Sequence, residues 1–386
     1  MTASQIRKCD KHVFLLGAGF SAAYGVPVMR DFMAVARRRY FPLRERNPHD
    51  PLVECYERMM VFQQECRKCS WVFNRDWDNI EELYTQADLL RLARYPDELK
   101  AEELCRQIAW VIWDVYRDYH AGKYPPMGEV VDAVCSEDYR PVVITTNYDV
   151  LCEIGIQGEN SQPGFFYPGF RLPWTPVNRG NALLDSVLEE DTEVRIEAQK
   201  GSKVVPVVKL HGSANWFRYD NGKKLFATTQ FGTASLLDGK VVQLTGISRP
   251  DLNSKTIKAW GNAVCADMLE DPVPAIIPPM LGKMSISPAI SHQWKSAIAC
   301  LDAASRITVI GYSFPETDAF MTRLLAEGLK HNNGLEEITI VDIQAEEQWA
   351  ERLERMFATT LRQTKLRFQN SDSKAFLGSF AKNKGQ

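Results

Sequence analysis

A long apolar run is missing from this chain of 386 residues. No stretch approaches the roughly 20 residues that cross a bilayer. The opening MTASQIRKCDKH is polar and lacks the apolar centre of a signal peptide. An excess of one charge is missing too. Lys and Arg number 46 against 49 Asp and Glu, a formal net charge of −3, which gives no global reason to bind nucleic acid. The one basic cluster, ARRRYFPLRER at 36–46, reads as a solvated helix end. The nine cysteines are scattered and odd in number, which argues against a disulfide framework. Only Cys66 and Cys69 have Cys-x-x-C spacing, and a structural zinc needs a second pair. The expectation is a cytoplasmic protein with reduced thiols, no bound metal and no membrane contact.

What is present is an ordinary core-forming composition, 45% hydrophobic and 25% charged, with length for about two to three domain-sized units. HVFLLGAGFSAAYGVP (12–27) takes a short apolar strand into a glycine-rich turn, with a helix expected from near Ser21. Between 45 and 125 the pattern turns helical. Asp78 with Glu81 three residues on suggests a capping box, and Leu104, Ile108, Val111, Ile112, Val115 and Tyr119 keep helical spacing. Strands return at RPVVITTNYD (140–149) and at KVVPVVKLHGSANW, where the strand is expected to end at His211. QPGFFYPGFRLPW is too rich in Gly and Pro for a regular element, and NWFRYDNGKKLFATTQ reads as a hairpin turning at Asp220-Asn221-Gly222. SRITVIGYSFPETDAF and LEEITIVDIQAEE each give a strand followed by a helix.

Alternating apolar strands and helices predict an α/β fold: a Rossmann-like doubly wound parallel sheet with a helical insertion module and a small β-hairpin insertion. The sheet domain is expected from 1–44 and 126–370, the insertion from 45–125, and a short polar tail from 371–386.

In such a sheet the carboxyl ends of the strands hold ligands. The turn Gly17-Ala18-Gly19-Phe20-Ser21, with Gly25 beyond it, suits a pyrophosphate at a helix N-terminus, though a turn of this kind also serves structure alone. Thr146, Asn147 and Asp149 follow the second strand; an amide beside a carboxylate can hold a ribose or a water, and either can equally form an Asx turn. His211 precedes a glycine, Gly311 and Ser313 suit a phosphate or ribose hydroxyl, and Asp342 stands where an acidic residue accepts from adenosine ribose.

Taken in order, these segments resemble the sirtuins: GAGFSAAYGVPVMR (17–30) the glycine-rich signature, TTNYD the Thr-Gln-Asn-Ile-Asp motif, KLHGS the catalytic His-Gly, and GYSF the Gly-Thr-Ser motif. The likeness covers about 1–35 and 140–345. The four-cysteine zinc ribbon and the Phe-Gly-Glu peptide clamp of sirtuin deacetylases have no counterpart; PAIIPPMLGK stands in the clamp's place. DNIEELY, TTNYD, IIPP and GYSFPETD are instead similar to bacterial sirtuin-like proteins of anti-phage defence, which hydrolyse NAD. The resemblance implies an NAD hydrolase with NAD as substrate, Asn147, His211 and Asp149 as catalytic groups, and Gly17, Ala18, Gly19, Phe20, Ser21, Gly25, Thr146, Gly311, Ser313 and Asp342 on the dinucleotide. Asp149 would stabilise positive charge or orient water; His211 would take a proton from a ribose hydroxyl or from that water. A deacylase or ADP-ribosyltransferase, and a non-catalytic NAD or ADP-ribose sensor, are the alternatives. Control is expected from self-assembly, from a second protein or from both, and the resemblance implies a HerA-type hexameric ATPase as that protein; the helical insertion (45–125), rich in Trp, Tyr and Met, is the expected assembly surface, with packing of its apolar stripe on its own sheet as the alternative.

Overall fold

The structure, a computed structural model, describes residues 10–68, 76–95, 97–117, 125–137, 139–157, 164–168, 183–185, 204–219, 224–228, 273–277, 288–315, 318–344, 346–347, 349 and 364–382. At its centre lies β1 (Lys11–Leu16), all six residues of which are buried. A strand covered on both faces takes no polar alternation, which is why VFLL (13–16) reads as one apolar run. β1 pairs in parallel with β2 (Arg140–Thr145) on one side and β9 (Ala304–Ile310) on the other. Beyond β2 come β5 (Val204–Lys209) and β3 (Gly164–Phe166); beyond β9 come β10 (Glu337–Asp342) and β11 (Lys365–Asn370). The seven strands run in the order β11-β10-β9-β1-β2-β5-β3, and every pairing is parallel. From β1 the chain lays β2, the edge strand β3 and then β5 on one side, returns to β9 and winds outward through β10 and β11 on the other. The topological switch therefore falls between β1 and β9, where a doubly wound sheet opens its ligand crevice.

The helical module is built from α2 (Phe32–Arg46), α3 (Pro51–Lys68), α4 (Ile80–Leu92) and α5 (Glu98–Tyr116). It has its own core, which gathers Phe32, Tyr56, Met59, Leu83, Trp110 and Trp113 with Ala214, Val273 and Ile276. The last three belong to a second, antiparallel sheet ordered β4-β7-β6-β8: β4 (Leu183–Asp185), β7 (Lys224–Thr228), β6 (Gly212–Tyr219) and β8 (Val273–Ile276). The expected hairpin, β6 with β7, is the middle of that sheet; its turn at Asp220-Asn221-Gly222 lies outside the described residues, as do Cys69 and Tyr119.

Several sequence expectations change. The insertion boundary at 44/45 falls inside α2, because Phe32, Met33 and Val35 already face the module's core. The apolar stripe of α5 is internal: Ile108, Val111, Ile112 and Val115 are all buried, which is the alternative expected for that stripe, packing within its own chain. Asn79, not Asp78, caps α4, its side chain accepting from the Glu81 amide. Asp78 is engaged by Arg67 at 2.6 Å and by Gln63 at 3.0 Å. The Gly/Pro-rich stretch near 164 does contain a strand, β3, which suits such a sequence because it sits at the sheet edge. Nor is 371–386 a tail. β11 ends at Asn370 and α10 (Ser373–Lys382) follows at once, burying Phe376 and Leu377 in the main core. The alternation of Phe376, Leu377 and Phe380 with polar residues is amphipathic helix, which a polar average conceals.

Candidate active site

A cleft of about 690 Å³ opens over the carboxyl ends of β1, β2, β9 and β10, within the size range of sites that bury small molecules. Its floor is the glycine-rich turn. The helix begins at once, α1 (Ala18–Ala22), rather than near Ser21. The turn is packed tightly against the loop after β9. Gly17 donates its amide to Ile310 O at 3.0 Å, and Gly19 donates to Gly311 O at 2.8 Å. A Cβ on Gly19 would stand 2.8 Å from the Gly311 Cα, and one on Gly311, at φ +61°, would stand 2.3 Å from the Phe20 nitrogen. The crossing of these two loops alone therefore demands both glycines, and it commits the amides of Gly17 and Gly19 to protein partners.

Ten of the thirteen residues expected at the site border this cleft: Ala18, Gly19, Ser21, Thr146, Asn147, Asp149, His211, Gly311, Ser313 and Asp342. Three do not. Phe20 is wholly buried in the main core, its side chain serving packing. Gly17 lies beneath the turn, its carbonyl accepting from Asn147. Gly25, at φ +92°, is exposed and ends the turn after α1, its amide bonded to Ala22 O.

Asn147 is the best-fixed polar side chain of the cleft. Its Nδ2 donates to Gly17 O at 2.8 Å and to Ser21 Oγ at 2.9 Å, while its own amide donates to Thr145 Oγ1 at 3.1 Å. With both Nδ2 hydrogens committed, its Oδ1 is turned the other way as an acceptor. Asp149 is buried, and its Oδ1 accepts from the Leu151 amide at 3.1 Å, starting α7 (Leu151–Gln157). That is a helix-starting role for at least one of its oxygens. Beneath it, Lys209 Nζ donates to the Asp149 carbonyl oxygen and pairs with Glu153 at 3.0 Å; both Lys209 and Glu153 are fully buried.

β5 ends at Lys209, not His211. Leu210 and His211 form the two-residue turn into β6, and the Ile277 amide donates to His211 O at 2.9 Å. The His211 ring is buried, with Nε2 4.0 Å from Asp318 Oδ2. Asp318 in turn accepts from the Tyr312 hydroxyl at 2.8 Å and from the Met321 amide at 3.2 Å, capping α9 (Ala319–Leu329). Burial first, then the Asp318 carboxylate, drives the Tyr312 phenol far above its ordinary pKa, so it stays a neutral donor. The Tyr148 ring lies tilted against those of His211, centroids 6.4 Å apart, and Tyr116, 5.7 Å apart. Its hydroxyl is buried with no hydrogen-bond partner among the described residues. Burial and then the charge of Glu81 push this phenol well above its ordinary pKa as well.

The cleft also takes residues that the strand-end reading did not single out. Asn79, Glu81 and Tyr116 come from the helical module, Asp318 from the start of α9, and Ser371, Asp372 and Ser373 from the segment leading into α10. Ser373 Oγ donates to Phe20 O at 2.8 Å, fastening α10 to the glycine-rich turn. The sequence signal for Glu81 and Asp318 was present in DNIEELY and GYSFPETD, motifs noted whole but not divided into roles. Among the described residues no group of three or more His, Cys, Asp or Glu could hold a metal ion, and no helix is long and apolar enough to cross a membrane.

The chain matches no protein-family model and no curated protein. Among solved structures it is similar to a Sir2 homologue in complex with NAD, at 13% identity and TM-score 0.42, covering 100% of this chain and 94% of that one. It is also similar to a Sir2 homologue variant in complex with ADP-ribose, at 12% identity and TM-score 0.42, covering 98% of this chain and 94% of that one. At such identities and scores the overlaps assign no role to any residue here.

Proposed function

We propose that this protein hydrolyses NAD to nicotinamide and ADP-ribose in the cleft at the β1/β9 switch. The observation that carries the reading is the convergence of Asn147 and His211, 64 positions apart in sequence, on one cleft floored by the glycine-rich turn. The cleft fits an extended dinucleotide: Gly19, Ser21 and Gly311 flank the centre, Asn147 and His211 one end, and Asp342 the end of β10. Expulsion of nicotinamide from C1 of the ribose passes through an oxocarbenium-like transition state. The fixed Asn147 Oδ1 positions the ribose or a water beside that carbon, and His211 takes a proton from a ribose hydroxyl or from the water. A sensor that only binds would need neither group. A deacylase would need a peptide clamp, for which the chain carries no sequence counterpart.

Incubation with NAD tests this directly. Wild-type protein is expected to release nicotinamide and ADP-ribose without any peptide, and Asn147→Ala and His211→Ala each to abolish release while keeping the wild-type melting temperature. Wild-type rates in both variants would refute the assignment. The biological setting we propose, from the sequence resemblance, is anti-phage defence by depletion of NAD, held off by self-association or a HerA-type ATPase. Light scattering of the chain alone and with such an ATPase tests the latter; full activity in a strict monomer would sink it.

A further inference from the structure

We propose that Asp318 is the positioning residue of His211, its carboxylate holding the positive charge that the imidazole gains on taking a proton. The inference rests on the hydrolase reading and deepens it, since it names what makes His211 a competent base. Asp318 Oδ2 lies 4.0 Å from His211 Nε2, and the Asp318 side chain is 4% exposed, that of His211 3%. The distance is longer than a hydrogen bond, so the coupling is one of charge. Charges this well buried are little screened by salt. Both residues border the cleft, His211 from the turn after β5 and Asp318 from the start of α9.

Three contacts fix Asp318. Oδ2 accepts from the Tyr312 hydroxyl at 2.8 Å, Oδ1 accepts from the Met321 amide at 3.2 Å, and the Asp318 amide donates to Pro315 O at 2.9 Å. Two donors and the start of a helix surround the carboxylate, an arrangement that suits a negative charge. Capping α9 uses only Oδ1, and an Asn would cap as well. Capping therefore does not account for a charge here, nor for Oδ2 held beside His211. Tyr312 is kept a neutral phenol by burial and by Asp318, so it directs that oxygen without adding a second negative charge.

In the reaction His211 takes a proton from the ribose hydroxyl or from the attacking water and becomes an imidazolium. The C1–N bond breaks with its electron pair leaving on nicotinamide, and the water oxygen bonds to C1. The proton then passes from His211 to solvent. The ring charge is spread over both nitrogens, so Asp318 favours it whichever nitrogen takes the proton. Other ionisable groups meet the same space. Asp149 and Glu81 border the cleft, the Tyr148 ring lies 6.4 Å from that of His211, and Lys209 directs Nζ to Glu153 and the Asp149 carbonyl. All of them persist when Asp318 is changed, so a difference from wild type reports the Asp318 charge.

The test is the titration of His211 in the full chain, read by ring-proton NMR and assigned among the six histidines with His211→Gln. It is paired with the pH dependence of kcat/KM for NAD hydrolysis. Asp318→Asn keeps the cap on α9 and removes the charge. It is expected to lower the pH at which His211 takes up its proton by about one unit, and the acid limb of kcat/KM with it. Plateau kcat/KM is expected to fall about tenfold or more, because a weaker base accepts the proton less readily. Tyr312→Phe leaves the charge in place and is expected not to lower the midpoint. An unchanged or raised midpoint in Asp318→Asn would overturn the inference, as would an equal fall in Tyr312→Phe or a wild-type plateau in Asp318→Asn. Wild-type protein that releases no nicotinamide would overturn the hydrolase reading, while the titration still decides the pairing of Asp318 with His211.

Discussion

The side-chain amide of Asn147 donates to the hydroxyl of Ser21 at 2.9 Å, joining the end of β2 to the glycine-rich turn across 126 positions of sequence. Ser21 is itself 1% exposed, so its hydroxyl serves Asn147 before it serves any ligand. Ser21→Ala should therefore act through the amide. One neutral hydrogen bond is worth about 1 kcal/mol, so kcat is expected to fall about fivefold, with KM little changed. The opposite pattern, raised KM with kcat intact, would place the hydroxyl on the pyrophosphate, as the strand-end reading of the sequence has it.

Gly311 and Gly25 both adopt positive φ, at +61° and +92°, but their surroundings differ. An added methyl at Gly311 meets Phe20 and Gly19 backbone atoms within 2.6 Å, whereas at Gly25 it meets nothing within 4 Å. Gly25→Ala is expected to cost about 1 kcal/mol, the conformational strain alone. Gly311→Ala should cost more than about 3 kcal/mol, because backbone on the opposite loop must move. Urea denaturation of the two variants gives the comparison; equal losses would mean that the loop crossing is looser than described.

The centre of the parallel sheet was legible because β1 and β2 are buried on both faces, and VFLL and VVI therefore stand out as unbroken apolar runs. So was most of the cleft, since polar residues directly after such runs have one place to go in a doubly wound sheet. Phe20 was misplaced because neighbours in a one-turn helix point in different directions, and a motif gives no direction. Asp318 and Glu81 were missed for another reason. Each enters from a helix start whose position depends on how that helix packs: α4 against α5, and α9 against the helix over Pro288–Asp302. The α10 segment was missed because its contribution is a short polar run, Ser371 to Ser373, whose placement depends on Phe376 and Leu377 finding the main core.

Beneath the cleft, Lys209 and Glu153 form an ion pair with no exposure to solvent, and Lys209 also donates to the Asp149 carbonyl. Glu153 Oε1 accepts in addition from the Tyr167 hydroxyl at 3.0 Å, while Oε2 has no partner among the described residues. Removing one charge strands the other in a low-dielectric interior. Lys209→Met is expected to destabilise by about 3–5 kcal/mol, and Lys209→Met with Glu153→Leu to recover most of that loss. A thermal or urea melt of the three proteins checks it. If the double variant is no better than the single, the pair's partners at Asp149 and Tyr167, rather than the charges, account for the stability.

At the far end of the cleft, Asp342 closes β10 half-buried, its Oδ1 accepting from the Gln344 amide at 2.8 Å. The Ser371 amide donates to the Asp342 carbonyl at 3.0 Å, and Asp372 borders the same cleft. An amide-fixed carboxylate that borders the cleft suits a ribose diol. Two carboxylates bordering one cleft also disfavour a phosphate on that ribose. NAD is therefore expected to be used in preference to NADP. A contact to the adenosine ribose would be the same in the ground state and the transition state, so Asp342→Ala should raise KM about tenfold and leave kcat within about twofold. Asp342→Arg should shift the preference toward NADP by pairing with the added phosphate. Initial rates over both dinucleotides decide the matter. A fall in kcat at constant KM would move Asp342 from the ribose to the reacting end, and equal use of NAD and NADP by the wild type would remove the carboxylates from the dinucleotide altogether.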